Sequence, residues 1–298
     1  MSRKVTRRQF LSTLEAIGAA AALQPVSWAL AAEESVEKAT PRKVEKLTAA
    51  PTITIAHCCD PQLGFGNDAD PETAYQNDLG KLAREIENLN KIKPDVVFFA
   101  GDMTHQVREI ERDWPRMLPK IEAPIIVAPG NHDVPEPVTQ GKLDAFCKVF
   151  KKEYDSVAIN GWKIITINSQ YCRPTDSVAL YDTQVSWFQK ELESAKEEGL
   201  RVIVGSHIPP FVKTLDEKDE YFNFPTNLRK TYLDYLVANG TLFYLAGHTH
   251  TTLERDYLGI PILNGETTSR NFDSRPYGFR LLKIDADLNY EWNFVAND

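Results

Sequence analysis

Short apolar runs without polar alternation recur along this chain. The first three are Ile53-Thr54-Ile55-Ala56-His57-Cys58, Val96-Val97-Phe98-Phe99-Ala100 and Ile125-Ile126-Val127; others lie at 162–168, 201–206 and 242–246. A strand with one wet face alternates, whereas one covered on both faces does not. Helix-period segments lie between the runs. An apolar stripe at Leu79, Leu82, Ala83, Ile86 and Leu89 stops before Pro94, and a shorter segment is interrupted at Pro115. Further helices are expected from Asp182, as N-cap, to Glu198, with Gly199 as the stop, and over 226–238. Strand and helix in alternation specify an α/β domain with a mostly parallel sheet flanked by helices. From Thr252 to Asn293 the chain reads as short strands broken by Gly259, Pro261 and Gly278, expected to form a second sheet packed on the first. One domain over residues 51–298 accommodates all of this.

The runs end in a particular set of residues. Asp60 and Gln62 follow the first, Gly101-Asp102 the second, and Gly130-Asn131-His132-Asp133 the third; His207 follows the strand at 201–206, and Gly247-His248-Thr249-His250 the strand at 242–246. In an open α/β sheet the carboxyl ends of the strands line the ligand-binding edge. Carboxylate, amide oxygen and imidazole nitrogen are the donors that hold divalent cations. Singly, Asp60 and Asn131 would be read as turn formers and the histidines as satisfied strand-end residues. Jointly, five strand ends carry this chemistry, and four of the six histidines fall at them.

Asp-x-Gln, Gly-Asp, Gly-Asn-His-Asp, a lone His after a strand and Gly-His-x-His, in that order, resemble the calcineurin-like metallophosphoesterases over roughly residues 52–284. The resemblance implies a four-layer sandwich, two central mixed β-sheets flanked by helices, with two divalent metal ions (Mn, Fe, Mg or Zn) at the sheet edge. It assigns Asp60, Gln62, Asp102 and His250 to one metal, and Asp102, Asn131, His207 and His248 to the other. A water or hydroxide between the ions is then the nucleophile, His132 assists phosphoryl transfer as a catalytic residue, and Asp133 holds the His132 ring. The family's first motif is usually Asp-x-His. Gln62 in its place, with Gly101-Asp102-Met103-Thr104-His105 and the run 211–223, is similar to the CPPED-type subgroup, regarded as Ser/Thr protein phosphatases. Gln62 supplies a hard, uncharged oxygen that suits Mn²⁺, Mg²⁺ or Fe²⁺; alternatively it hydrogen-bonds a metal-bound water. The leading expectation is a phosphomonoesterase acting on a phosphorylated substrate. A phosphodiesterase on cyclic nucleotides or headgroup diesters, and a non-catalytic metal-binding recognition protein, stay open.

Other polar residues attract plainer readings. His57 and His105 are expected to be buried, hydrogen-bonded histidines. The acidic stretch 216–223 reads as a loop whose Tyr221 or Phe222 could rim the site. Arg173, Arg270 and Arg275 are all candidates for holding phosphate, and the sequence does not choose among them.

The N-terminus carries a different signal. Ser2-Arg3-Lys4 and Arg7-Arg8-Gln9-Phe10-Leu11 precede an alanine-rich segment and Ala29-Leu30-Ala31. This resembles a bacterial twin-arginine export signal over residues 1–31, implying the twin-arginine machinery as a partner and a periplasmic or otherwise exported location. Glu15, Gln24 and Pro25 break the segment, and no stable membrane insertion is expected after cleavage. Residues 32–50, polar and aperiodic, read as a linker. The net charge of −8 becomes −11 once the four basic residues and one glutamate of residues 1–31 are gone, which argues against nucleic-acid partners. Cys58, Cys59, Cys147 and Cys172 have no metal-binding spacing; adjacent Cys58 and Cys59 must face opposite sides of a strand, and free thiols are expected.

Overall fold

The computed structural model describes residues 51–66, 69–173 and 178–297; the expected export signal and linker lie outside them. Strand β1 (Ile53–Cys58) leads to helix α1 (Pro71–Ile92), β2 (Val96–Phe99), α2 (Ile110–Met117) and β3 (Ile125–Val127). Helix α3 (Gln140–Phe150), the hairpin β4 (Asp155–Ile159) and β5 (Trp162–Thr166), α4 (Val178–Glu197), β6 (Arg201–Gly205), α5 (Thr226–Ala238) and β7 (Thr241–Ala246) follow. The chain closes with β8 (Leu253–Tyr257), β9 (Ile260–Asn264), β10 (Gly278–Ile284) and β11 (Tyr290–Ala296).

The strands make two sheets, ordered β11-β10-β1-β2-β3 and β4-β5-β6-β7-β9-β8. Both are mixed. β1, β2 and β3 are parallel in the first, and β5, β6, β7 and β9 in the second; β10 and β11 in the first, and β4 and β8 in the second, run antiparallel to their neighbours. Alternate residues of β1 explain the layering. Ile53, Ile55 and Cys59 belong to the core between the sheets with Phe98, Trp162, Ile203, Leu245 and Leu263. Ala56 and Cys58 belong to the core under the helices with Leu82, Ile86 and Leu89 of α1. The neighbouring cysteines therefore face opposite sides, and all four cysteines are free. The result is the expected four-layer α/β sandwich.

Local chemistry accounts for the ends of α1. The Asp70 carboxylate accepts from the Thr73 amide at 2.8 Å, Pro71 opens the first turn, and Lys93 closes the helix in the left-handed region ahead of Pro94.

The observed elements depart from expectation in three places. Helix α4 begins at Val178 rather than at Asp182. Tyr181 is buried in phase with Val185, Phe188, Leu192 and Ala195, so the apolar stripe continues through the residue taken for a cap. Only β8 and β9 join the second sheet, whereas β10 and β11 return to the first beside β1. Helix α3 and strand β4, which pairs with the expected β5 as a hairpin, were not anticipated. The hairpin had a signal, Asn160-Gly161, whose two positive φ angles of 49° and 77° make the tight turn.

Candidate metal centre

The parallel strands of both sheets bring their carboxyl ends to one edge, and the polar residues leave the strands there. Five of the seven candidate ligands have left-handed backbones: Asp60 (φ 46°), Gln62 (37°), Asp102 (50°), His248 (69°) and His250 (49°). Such conformations cost a non-glycine residue free energy and concentrate at functional sites. Two glycines make the close approach possible. Gly101 has φ 84°, and a Cβ there would meet the His207 ring at 2.7 Å. A Cβ on Gly130 would overlap the Asp102 carboxylate.

The candidate side chains form one connected set. Asp102 lies 3.4 Å from His207 Nε2, and its other oxygen accepts from the His132 amide at 2.8 Å. His207 Nε2 is 3.0 Å from Asn131 Oδ1. Asp60 is 3.5 Å from His250 Nε2 and 3.9 Å from His207 Nδ1, and it accepts from the His248 amide at 3.0 Å. Asp102, His207 and His248 each offer a ligand atom within 4.8 Å of the others. The Gln62 amide donates to the Asp102 carbonyl at 2.7 Å, and its buried side-chain oxygen Oε1 has no partner among the described residues.

Main-chain carbonyls fix the ring tautomers. A carbonyl only accepts, so the nitrogen facing it carries the proton and the other is left with a lone pair. His207 Nδ1 donates to Ala100 at 2.7 Å, His250 Nδ1 to Arg270, and His248 Nε2 to Tyr221 at 2.8 Å. With the rings neutral and the carboxylates ionised, His207 Nε2 would turn its lone pair to Asn131 Oδ1 and Asp102, and His250 Nε2 to Asp60. Acceptor then faces acceptor, which is what a cation between them satisfies; without a cation, protons on His207 and Asp60 fill these places. The orphaned Gln62 oxygen fits the same demand, and the donor set suits hard divalent ions.

The same crowding shifts the protonation equilibria of these side chains. Burial and the nearby Asp102 and Asp133 carboxylates push Asp60 up to about 8. Burial opposes the charge on His207, yet Asp102 and Asp60 outweigh it and hold the ring at about 9. Asp102 is also opposed by burial but is drawn below the carboxylate range by His207. Burial lowers His250 to about 4, and burial with the His207 charge takes His248 well below the imidazole range.

Asp133 differs from expectation. Its buried carboxylate accepts from the amides of Met103 (2.9 Å), Thr104 (3.2 Å) and Gly130 (2.9 Å), tying the second and third strand ends together. The His132 ring is held instead by the His105 carbonyl, 2.9 Å from Nδ1, which leaves Nε2 free. His105 is only half-buried, and its ring stacks on His132 at 4.9 Å, so it belongs to the site rather than the core. His57 is buried and hydrogen-bonded as expected, with Nε2 donating to Ala246, and burial lowers it to about 4. Tyr221 reaches the site as foreseen, its hydroxyl 2.7 Å from Asn131 Nδ2. Asn264, which holds the Gly247 carbonyl at 2.8 Å, and the aromatic Phe65 and Phe272 were missed. Nothing in their sequence context marks them.

Residues 53–252 match the family model described as calcineurin-like phosphoesterase. The Ser/Thr protein phosphatase CPPED1 of Rattus norvegicus is 26% identical over 246 residues, covering 76% of this chain and 79% of the relative. A probable cyclic nucleotide phosphodiesterase of Vesicomyosocius okutanii is 26% identical over 219 residues, covering 71% and 88%. Among solved structures, a dimetal phosphatase from Danio rerio shares the fold, with a TM-score of 0.59 at 13% identity over 83% of this chain and 97% of that one.

Proposed function

The chain belongs to the calcineurin-like phosphoesterase family and is a hydrolase acting on phosphoester bonds, and on that premise we propose that it is a phosphomonoesterase using two divalent cations. Asp60, Gln62, Asp102 and His250 would hold one ion, and Asp102, Asn131, His207 and His248 the other, with Asp102 shared. The observation that carries this reading is Gln62 Oε1, a buried oxygen with no donor among the described residues, in a loop whose amide is tied to Asp102, beside the Asp102, His207 and His248 cluster. When bound, the cations supply charge that polarises phosphoryl oxygens and acidifies a water nucleophile.

The rest of the chemistry falls to the chain. His132, with Nδ1 committed to the His105 carbonyl, presents Nε2 to the substrate; with a second proton on Nε2, the imidazolium would donate a hydrogen bond to the phosphoryl group or that proton to the departing oxygen. Asp133 holds the loop that carries His132 rather than its ring. Only two of the seven proposed ligands are carboxylates, so two divalent ions leave a net charge of about +2. That balances a phosphate monoester dianion better than a singly charged diester. The likeness to a probable cyclic nucleotide phosphodiesterase supports the diester alternative.

Mn²⁺-loaded enzyme is expected to hydrolyse an aryl phosphate monoester faster than a bis-aryl diester; the reverse order would select the diesterase. His132→Ala should lower kcat by ~100-fold or more at unchanged metal content. An undiminished rate would remove His132 from the reaction.

We also propose, from sequence alone, that residues 1–31 direct twin-arginine export and 32–50 space the signal from the domain, making the enzyme periplasmic. Arg7→Lys/Arg8→Lys should retain it in the cytoplasm; unaltered export would refute the assignment.

A further inference from the structure

Two loops form a wall beside the candidate metal centre. One, at the end of β1, carries Phe65; the other, between β9 and β10, carries Arg270 and Phe272. His250 bolts the second loop in place, since its Nδ1 donates to the Arg270 carbonyl and its own carbonyl accepts from the Phe272 amide at 3.3 Å. Phe272 lies flat on the His250 ring, with centroids 4.4 Å apart and planes 6° apart, and Phe65 meets the same ring edge-on at 5.5 Å.

Both loops are held stiffly. The buried Asp78 carboxylate accepts from the amides of Gly64 (3.1 Å) and Gly66 (2.9 Å), on either side of Phe65. Lys81 bridges that carboxylate (2.9 Å) to the Ser269 carbonyl (2.7 Å), joining one loop to the other.

Against this order, two features are left open to a ligand. Four large apolar side chains are exposed among the described residues, and the two aromatic ones, Phe272 (54%) and Tyr221 (50%), both lie on candidate metal-ligand histidines. Arg270 is the second feature. Of the three arginines that the sequence left open, Arg275 is paired with Asp273 and Glu266, and Arg173 faces Glu136 and donates to the Tyr221 carbonyl. The Arg270 guanidinium stands over the Phe65 ring at 5.2 Å, and among the described residues it has neither a hydrogen bond nor an acidic partner.

Resting on the phosphoesterase reading, we infer that this wall selects phosphoesters with a planar aromatic ring on the ester oxygen. Phe272 stacks on that ring and Arg270 binds a phosphoryl oxygen. A phosphate at the metal centre places a ring one ester bond away, within the span of a side chain packed on His250. A planar π face gains from stacking where a flexible alkyl chain does not. A guanidinium already held over an aromatic ring meets phosphate with little loss of freedom.

Rates would confuse recognition with leaving-group strength, so the test uses unreactive ligands. Phenylphosphonate and methylphosphonate are compared as competitive inhibitors of the Mn²⁺-loaded full chain turning over an aryl phosphate. Wild type should favour phenylphosphonate by about tenfold or more. Phe272→Ala should bring the two inhibition constants to within about twofold by weakening only the phenyl compound, while Phe272→Trp keeps the preference. Arg270→Ala should weaken both compounds by about tenfold at an unchanged ratio, with partial recovery in Arg270→Lys. A wild-type ratio near one, an equal loss of both compounds in Phe272→Ala, or unaltered inhibition in Arg270→Ala would each overturn the inference while leaving the phosphoesterase reading intact. Failure of the metal-loaded wild type to turn over any phosphoester would overturn both.

Discussion

Five of the six histidines donate a ring proton to a main-chain carbonyl: His57 to Ala246, His132 to His105, His207 to Ala100, His248 to Tyr221 and His250 to Arg270. At the candidate metal centre this arrangement fixes which nitrogen of each ring is left to meet a cation. Gln62 pays for the same preparation in stability, because a buried amide oxygen without a donor costs about 1–3 kcal/mol. Gln62→Met should therefore raise the melting temperature of chelator-treated protein while lowering bound Mn²⁺ from two equivalents towards one; unchanged metal content would make Gln62 a structural residue. At this scale the ligand types were legible, because each follows a strand and strand ends converge. Their anchors were not, since every residue carries a carbonyl and the sequence does not say which one faces a ring. Asp133 shows a different limit: a carboxylate next to His132 in sequence folds back onto three amides instead of turning to the neighbouring ring.

Strand ends serve the site only if the elements behind them are fixed in register. β1, β2 and β3 pair in parallel, as do β6 and β7, and the loops interlock where the Gly247 amide donates to the His207 carbonyl at 2.9 Å. Unbroken apolar runs made these strands legible, and the 3.6-residue period did the same for α1. The return of β10 and β11 to the first sheet was not legible, because pairing partners distant in sequence are chosen by edge availability rather than by any local pattern. The β4–β5 hairpin lies at the far edge of the second sheet, which separates stability from catalysis. Gly161→Ala, at φ 77°, should cost on the order of 1 kcal/mol in urea unfolding with unaltered kcat. A parallel loss of kcat would mean that this edge is coupled to the metal centre.

For the whole molecule, the buried charges make stability depend on metal and pH together. Asp60 at about 8, Asp133 raised to about 7 by burial and Asp102, and His207 at about 9 all lie above their unfolded values. The metal-free native state therefore holds more protons than the unfolded chain across these windows, and its stability falls as pH rises through them. His57 and His250, both lowered to about 4, and His248 act with the opposite sign, but their contributions are complete above about pH 6.5. Chelator-treated protein should thus lose melting temperature more steeply from about pH 7 to 9 than Mn²⁺-loaded protein, because the cations replace these protons, whereas the thiols that burial raises affect both forms alike. Equal slopes with and without metal would disconnect the buried carboxylates from cation binding.

All of this rests on side chains from both sheets gathering a pair of cations around Asp102. Anomalous diffraction from crystals grown with Mn²⁺ tests that directly. Two peaks about 3.5–4 Å apart are expected, with Asp102 between them, Gln62 and His250 on one and His207 and His248 on the other. A single peak, or peaks away from Asp102, would contradict it.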